Sequence, residues 1–191
     1  MRVQILSDQE TAAILTMLEK GAVRDHLMLR LMLQCGLRAG EVINLNIEHV
    51  WRSGHVHPAV YLQKSTTKGH AARYVDIPLA LQSIIQRHIN ELSFRGIPCV
   101  EGAALFISIR SNRRMSVRDV ERITGAISTR AIGRHIHPHI LRHTYATTLM
   151  KYTNIRVVQT LLGHANLNTT QVYTHPSSED CKKAVNEAFD R

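Results

Sequence analysis

The stretch AVYLQKSTTKGHAARYVDIP, residues 59–78, constrains the fold more than any other part of the chain. Apolar and polar residues alternate on both sides of Ser-Thr-Thr-Lys-Gly, the period of strands with one buried face. The segment is expected to be a β-hairpin with Lys68 in its turn, ended by Pro78. Elsewhere helical spacing dominates. One hairpin among helices predicts a mainly α fold with a small antiparallel β-sheet, α+β in class, that carries Lys68 at the sheet's edge.

The helices can be placed from their punctuation. Ser7-Asp8-Gln9-Glu10 reads as a capping box ahead of Ile14, Leu15 and Leu18, and Gly21 stops that helix. A second helix is expected over 23–35, closed by Gly36, and a short third over 38–45. Helical spacing returns over 79–92, whereas 105–109 reads as a short buried strand or an extended link. Ser116 caps a helix running to residue 132, and Pro138 suits the first turn of a helix over 139–150. Asn154 opens another, ended by Gly163. A short helix then carries Tyr173, Pro176 breaks it, and residues 177–180 cap a final helix with Val185 and Phe189 on one face. No repeat, low-complexity tract or linker divides the chain, so one domain with a helical tail is expected.

A chain of 191 residues, 44% hydrophobic and 20% charged, is long enough for one well-buried core and has the balance of a soluble globular protein. Met1-Arg2-Val3 leads into polar residues without a signal-peptide pattern, and the most apolar run, 27–33, is short and broken by Arg30. Cys35, Cys99 and Cys181 are odd in number and far apart, giving neither a disulfide framework nor a CxxC metal site. A reducing cytoplasm is the expected location.

Net charge is +9, which favours a polyanionic partner. Arg110, Arg113, Arg114, Arg118, Arg122, Arg130, Arg134 and Arg142 fall within 33 residues, against only Asp119 and Glu121. Arginine's planar fork suits phosphate better than lysine's point charge, so double-stranded DNA is the expected partner, with Arg113 and Arg114 as backbone contacts. The stretch lacks the aromatic and leucine face of a membrane-surface helix.

Several polar residues sit beside turns and helix starts. In GLRAGE, Arg38 lies just past a helix stop, with Glu41 one turn on to hold its guanidinium; a helix-start arginine paired with its neighbour explains that motif alone equally well. In HILRH, His139 and Arg142 share a helical face at i, i+3, and Leu141 points into the core. In LLGHANLNTTQVYTH, His164 follows a helix-ending glycine and Tyr173 comes nine residues later. Taken together, two arginines, a turn lysine, two histidines and a tyrosine suit a phosphodiester attacked by a tyrosine hydroxyl. Fixed guanidiniums stabilise the charge that spreads over the non-bridging oxygens, each such donor commonly giving about 10²- to 10³-fold in rate. A tyrosine of ordinary pKa about 10 needs a base or a cationic setting to attack at neutral pH. The leaving 5′ oxygen needs an acid, and Lys68 on its turn could supply the proton.

GLRAGE, the TKG turn, HILRHTYAT, LLGH and the following Tyr173 resemble, in order and spacing, the signatures of the tyrosine recombinase (phage-integrase type) catalytic domain. The resemblance runs from about residue 5 to residue 175. It implies Arg38 and Arg142 as a phosphate clamp, Lys68 as general acid, His139 on the base side, His164 as a phosphate hydrogen-bond donor and Tyr173 as nucleophile. Glu41 and His143 take supporting roles. It further implies a site-specific recombinase that cuts and rejoins DNA through a 3′-phosphotyrosine link, with integration, excision or inversion as outcome and neither cofactor nor metal required. Residues 1–176 correspond to the catalytic domain and 177–191 to a tail that docks on a neighbouring subunit, the protein being a monomer when free and a tetramer on DNA.

Family members usually carry a separate N-terminal helical domain that has no counterpart in these residues. The chain is therefore expected to be either a piece of a longer recombinase or a short one, like the fimbrial phase-variation invertases. Ile140 replaces an aspartate often seen in the HxLRH motif, and Tyr152-Thr153-Asn154 replaces a turn that commonly contains glycine. Three rival readings are a DNA-binding regulator on the same fold, a type IB topoisomerase-like enzyme, and a His-rich metal protein. The last rests on twelve histidines and the i, i+4 spacing of His139 and His143, but lacks an HExxH motif and acidic neighbours.

Overall fold

A computed structural model describes residues 4–63, 72–163 and 178–189. Lys68, His164 and Tyr173 lie outside the described residues. Helix α1 (Asp8–Glu19) begins in the expected capping box: the Ser7 hydroxyl accepts from the Glu10 amide and the Glu10 carboxylate accepts from the Ser7 amide. Arg134 grips the same carboxylate at 2.7 and 3.1 Å, tying the start of α1 to the chain just ahead of Pro138.

Helix α2 (Val23–Gln34) buries His26 to Leu29 and Leu31 to Gln34, and a helix covered on nearly all sides must be central. Around it pack α1, α4 (Leu79–Phe94), α5 (Val117–Ile132) and α6 (Pro138–Leu149). The amphipathic α4 contributes Leu81, Ile84, Ile85, Ile89 and Leu92 to this core. The short α3 (Ala39–Ile43) follows α2 after the tight turn at Gly36. Ser116 and Asp119 cap α5 reciprocally, and Asn154 caps α7 (Ile155–Leu162).

The expected hairpin is present as β3 (Ala59–Leu62) and β4 (Arg73–Asp76), antiparallel, with Val60 opposite Val75 and Leu62 opposite Arg73. Val60, Leu62, Arg73 and Val75 are buried, while Tyr61 and Tyr74 face outward with ring centroids 4.9 Å apart. A second hairpin, β1 (Trp51–Arg52) with β2 (His55–Val56), precedes it and forms a separate sheet. Strands of two residues are too short for alternation to show, which is why the sequence reading passes over them. The segment 105–109 is neither a strand nor a straight link: the chain bends at Leu105 and Phe106, which are wholly buried, makes a single bridge from Ile107 to Arg114, and turns from Ile109.

A smaller core lies beside the main one. Tyr145 and Leu149 of α6 and Val157, Val158, Leu161 and Leu162 of α7 meet Cys181, Ala184 and Val185 of α8 (Ser178–Phe189). The apolar face expected of the tail is thus packed on its own molecule. Burying such an aliphatic side chain stabilises by roughly 1.5–3 kcal/mol. Among the described residues, no helix is long and apolar enough to cross a membrane.

Candidate active site

The site is built where α2, α6 and α7 end or pass close together. Gly36 turns the chain after α2 with φ +65°, a left-handed conformation suited to glycine. The ring of Tyr145 lies so close that a Cβ at Gly36 would come 2.4 Å from Tyr145 Cδ1. The Gly36 carbonyl accepts from Arg142 Nη1, and the Leu162 carbonyl accepts from Arg142 Nη2 at 2.7 Å. Arg142 is therefore clamped between the turn after α2 and the last turn of α7, and only 6% of it is exposed. Burial, then the nearby charge of Arg38, pushes its pKa down to about 10.

Arg38 is the N-cap residue of α3, and Glu41 holds it there. The Arg38 amide donates to Glu41 Oε2 at 2.8 Å and its Nη1 to Oε1 at 3.0 Å. A residue the sequence reading missed completes the arrangement: Arg73, first in β4, donates through Nη1 to Oε1 at 2.8 Å and through Nη2 to Oε2 at 2.9 Å. Burial pushes the Glu41 carboxyl up, but the bonds from Arg73 and Arg38 outweigh it and hold its pKa below the usual carboxylate value. The sequence does signal that Arg73 points inward, because the hairpin's alternation puts it in phase with Val75 on the apolar face, but not which group it meets there.

Arg38, Arg73 and Arg142 share Glu41 as their one carboxylate among the described residues, Arg142 Nη1 being 3.9 Å from Oε2. Residues 64–71 and 164–177 contain no Asp or Glu. Among the described residues, two guanidinium charges are therefore unmatched in a largely buried place, which is what a dianionic or spread-charge oxyanion requires.

Helix α6 supplies the rest of what is described. Leu141 is wholly buried, as expected, while His139 and His143 are exposed. Partial burial, then the charges of His139 and Arg142, lowers the pKa of His143. Tyr145 is sealed in the smaller core, its hydroxyl without a hydrogen-bond partner among the described residues, and burial pushes its pKa far up. It is unsuited to be a nucleophile. The structure thus brings Arg38, Glu41 and Arg142 together, with His139 on the same helix as Arg142.

The arginine-rich stretch divides into two kinds. Arg113, Arg118 and Arg122 are exposed, the last 3.7 Å from Asp119. Arg114, although exposed, directs its guanidinium to the Ile43 carbonyl at 2.7 Å, the Leu45 carbonyl at 3.1 Å and Asn46 Oδ1. Arg134 is committed to Glu10. Among the described residues, no three His, Cys, Asp or Glu side chains converge as metal ligands.

Residues 4–180 match the phage integrase family. The tyrosine recombinase XerC of Proteus mirabilis is 35% identical over 173 residues, 89% of this chain and 53% of that protein. A tyrosine recombinase of Pseudothermotoga lettingae is 37% identical over 165 residues, 86% of this chain and 54% of that one. The chain spans about half the length of the curated relatives it matches. Among solved structures, XerA recombinase superposes with a TM-score of 0.70 at 26% identity, covering 98% of this chain and 66% of that one. The DNA-bound lambda integrase shares the fold, with a TM-score of 0.61 at 18% identity over 100% of this chain and 64% of that one. With the match running through nearly every helix that builds the arginine site, the chain belongs to the phage integrase family.

Proposed function

We propose that these residues form the catalytic domain of a tyrosine-type site-specific DNA recombinase. The observation that carries the reading is the group of three guanidiniums around one carboxylate, largely shielded from water, with Arg142 held by two backbone carbonyls. Such an arrangement matches a scissile phosphodiester and its transition state. Arg38 and Arg142 clamp the non-bridging oxygens, with Glu41 fixing Arg38 and His143 flanking Arg142. Tyr173 Oη attacks phosphorus with His139 on the side of the departing tyrosine proton, and His164 donates a hydrogen bond to the phosphate. The bond to the 5′ oxygen breaks as Lys68 gives that oxygen a proton, leaving a 3′-phosphotyrosine and a free 5′ hydroxyl. Attack by a new 5′ hydroxyl reverses the step, so the chemistry itself needs neither ATP nor metal.

The partner is double-stranded DNA in the cytoplasm, with Arg113 on the phosphate backbone. The free chain is a monomer and four copies assemble on DNA. In the single molecule α8 covers α6 and α7, so assembly exchanges this docking for one on a neighbouring subunit. A nicked suicide DNA substrate in EDTA tests the chemistry: a covalent protein–DNA adduct is expected, absent in Tyr173→Phe and retained in Tyr152→Phe. An adduct that persists in Tyr173→Phe overturns the nucleophile, and loss of cleavage in EDTA overturns the metal-free reading.

A further inference from the structure

We propose that Arg73 is a positioning residue of the cleavage site, tying the strand that leaves the Lys68 turn to Glu41 so that the hairpin and the arginine clamp take up their geometry together. The inference rests on the functional reading above and concerns a residue that the family signatures in the sequence do not mark.

Ionised Glu41 offers about four lone-pair positions, and all are taken. Oε2 accepts from the Arg38 amide and Arg73 Nη2, and Oε1 accepts from Arg38 Nη1 and Arg73 Nη1. A carboxylate so filled cannot turn. It also has no position left for Arg142, which stays 3.9 Å away and keeps its charge for an anion. Without Arg73, two positions on Glu41 open beside the most buried cation of the site. The carboxylate then swings toward Arg142 and closes an ion pair that removes half of the clamp.

Arg73 is placed for this by its neighbours. It is 8% exposed, pairs with Leu62 across the hairpin, and follows Lys68 by five residues. On its other side is Gly163, the residue after α7, where a Cβ would meet Arg73 Cδ and Nη1 at 2.9 Å. One guanidinium therefore touches the hairpin's return strand, the start of α3 and the end of α7. Its Nε has no partner among the described residues. Buried ion pairs contribute little net stability, and apolar replacements often serve the fold as well. Positioning is the better account of a charged residue on the hairpin's apolar face.

The test compares Arg73→Gln, Arg73→Lys and Arg73→Gln/Glu41→Gln in the intact protein. Single-turnover cleavage of the suicide substrate at saturating DNA is one readout. Hydrogen exchange at the Arg38 amide and along β4 is the other. Arg73→Gln is expected to cleave about 10²-fold more slowly, the scale of a misplaced electrostatic donor, with DNA affinity at fixed salt little changed. Arg73→Lys should fall between, since it keeps the charge without the fork. The double variant should cleave faster than Arg73→Gln alone, because the neutral amide that Glu41→Gln introduces no longer captures Arg142. A purely structural role does not produce that recovery. In Arg73→Gln, exchange should quicken at Arg38 and β4 together while α1, α2 and α5 stay protected.

Wild-type cleavage by Arg73→Gln overturns the proposal. So does a double variant no faster than the single one, or exchange unchanged at Arg38. Should Arg73→Gln fail to fold, Arg73→Lys gives the same comparison with the charge retained. If exchange changes as expected but wild-type protein forms no adduct, the recombinase reading fails and the positioning link stands.

Discussion

The rings of Tyr145 and Phe189 are stacked nearly parallel, 8° apart with centroids 5.5 Å from each other. This stacking joins α8 to the residue whose other side touches Gly36, the turn that holds Arg142. Phe189→Ala is expected to destabilise the chain by about 2–3 kcal/mol, below the usual 3–5 for a fully enclosed phenylalanine, because its ring is only partly buried. Deleting residues 178–191 should cost more, since it also uncovers Val157 and Val158. A tail that docked only on a neighbouring subunit, as the family resemblance implies, would instead be removable without loss of stability. A melting curve decides between them. By contrast, Tyr145→Phe removes a buried hydroxyl without a partner among the described residues and should leave the melting temperature unchanged or raise it, the gain being about 1 kcal/mol.

Gly36→Ala should be among the most damaging small substitutions. The left-handed φ costs roughly 1–2 kcal/mol for a residue with a Cβ. The added carbon also displaces the Tyr145 ring, and with it the carbonyl that orients Arg142. Lower melting temperature and lower cleavage at saturating DNA should appear together. Loss of stability with unaltered cleavage would separate the turn from the clamp.

Neighbouring Arg113 and Arg114 are expected to behave differently. Arg113 is exposed and able to face phosphate, so Arg113→Glu should reduce the log–log salt slope of DNA binding by about 0.9 for each phosphate it no longer neutralises. Arg114→Ala strips hydrogen bonds from two carbonyls and Asn46, and should appear mainly in thermal melting. Equal effects of the two on the salt slope would contradict this division.

Acid stability carries the mark of Glu10. Hydrogen bonds from Arg134, then from the Ser7 amide, lower its pKa from 4.5 to about 2. A depressed carboxyl stabilises the fold above its unfolded pKa and ceases to do so as pH falls through the folded value. Glu10→Gln should therefore melt lower than wild type at neutral pH, and the difference should shrink between pH 4.5 and about 2. A difference that does not vary over that window would exclude the linkage.

The parts of the fold legible in the sequence were those written locally. Ser7, Ser116 and Asn154 announce helix starts by hydrogen bonds within three residues, and alternation around residues 59–78 announces the hairpin. Glu41 was legible as Arg38's holder for the same reason. Arg73's part in the site was not, because its partner lies 32 residues away and only the tertiary fold brings them together. The inward turn of Arg114 depends likewise on carbonyls about 70 residues distant. Charge counting treats every arginine in the stretch alike, whereas packing decides which of them stay free to meet an external anion.

The charge left unmatched around Glu41 among the described residues should make the protein's own stability a ligand-dependent quantity. Two guanidinium charges repel each other from a place that water enters poorly, and any small oxyanion that settles there relieves the repulsion. Linkage sets the size of the gain: about 2.7 kcal/mol when the anion is present at a hundred times its dissociation constant. Millimolar sulfate or inorganic phosphate should raise the melting temperature more than chloride does at equal ionic strength, and Arg142→Gln should abolish the difference. If the domain binds DNA as proposed, a cell's free phosphate would then act as a mild competitor, shielding the idle protein from unfolding and loosening its hold on non-specific sequence at once.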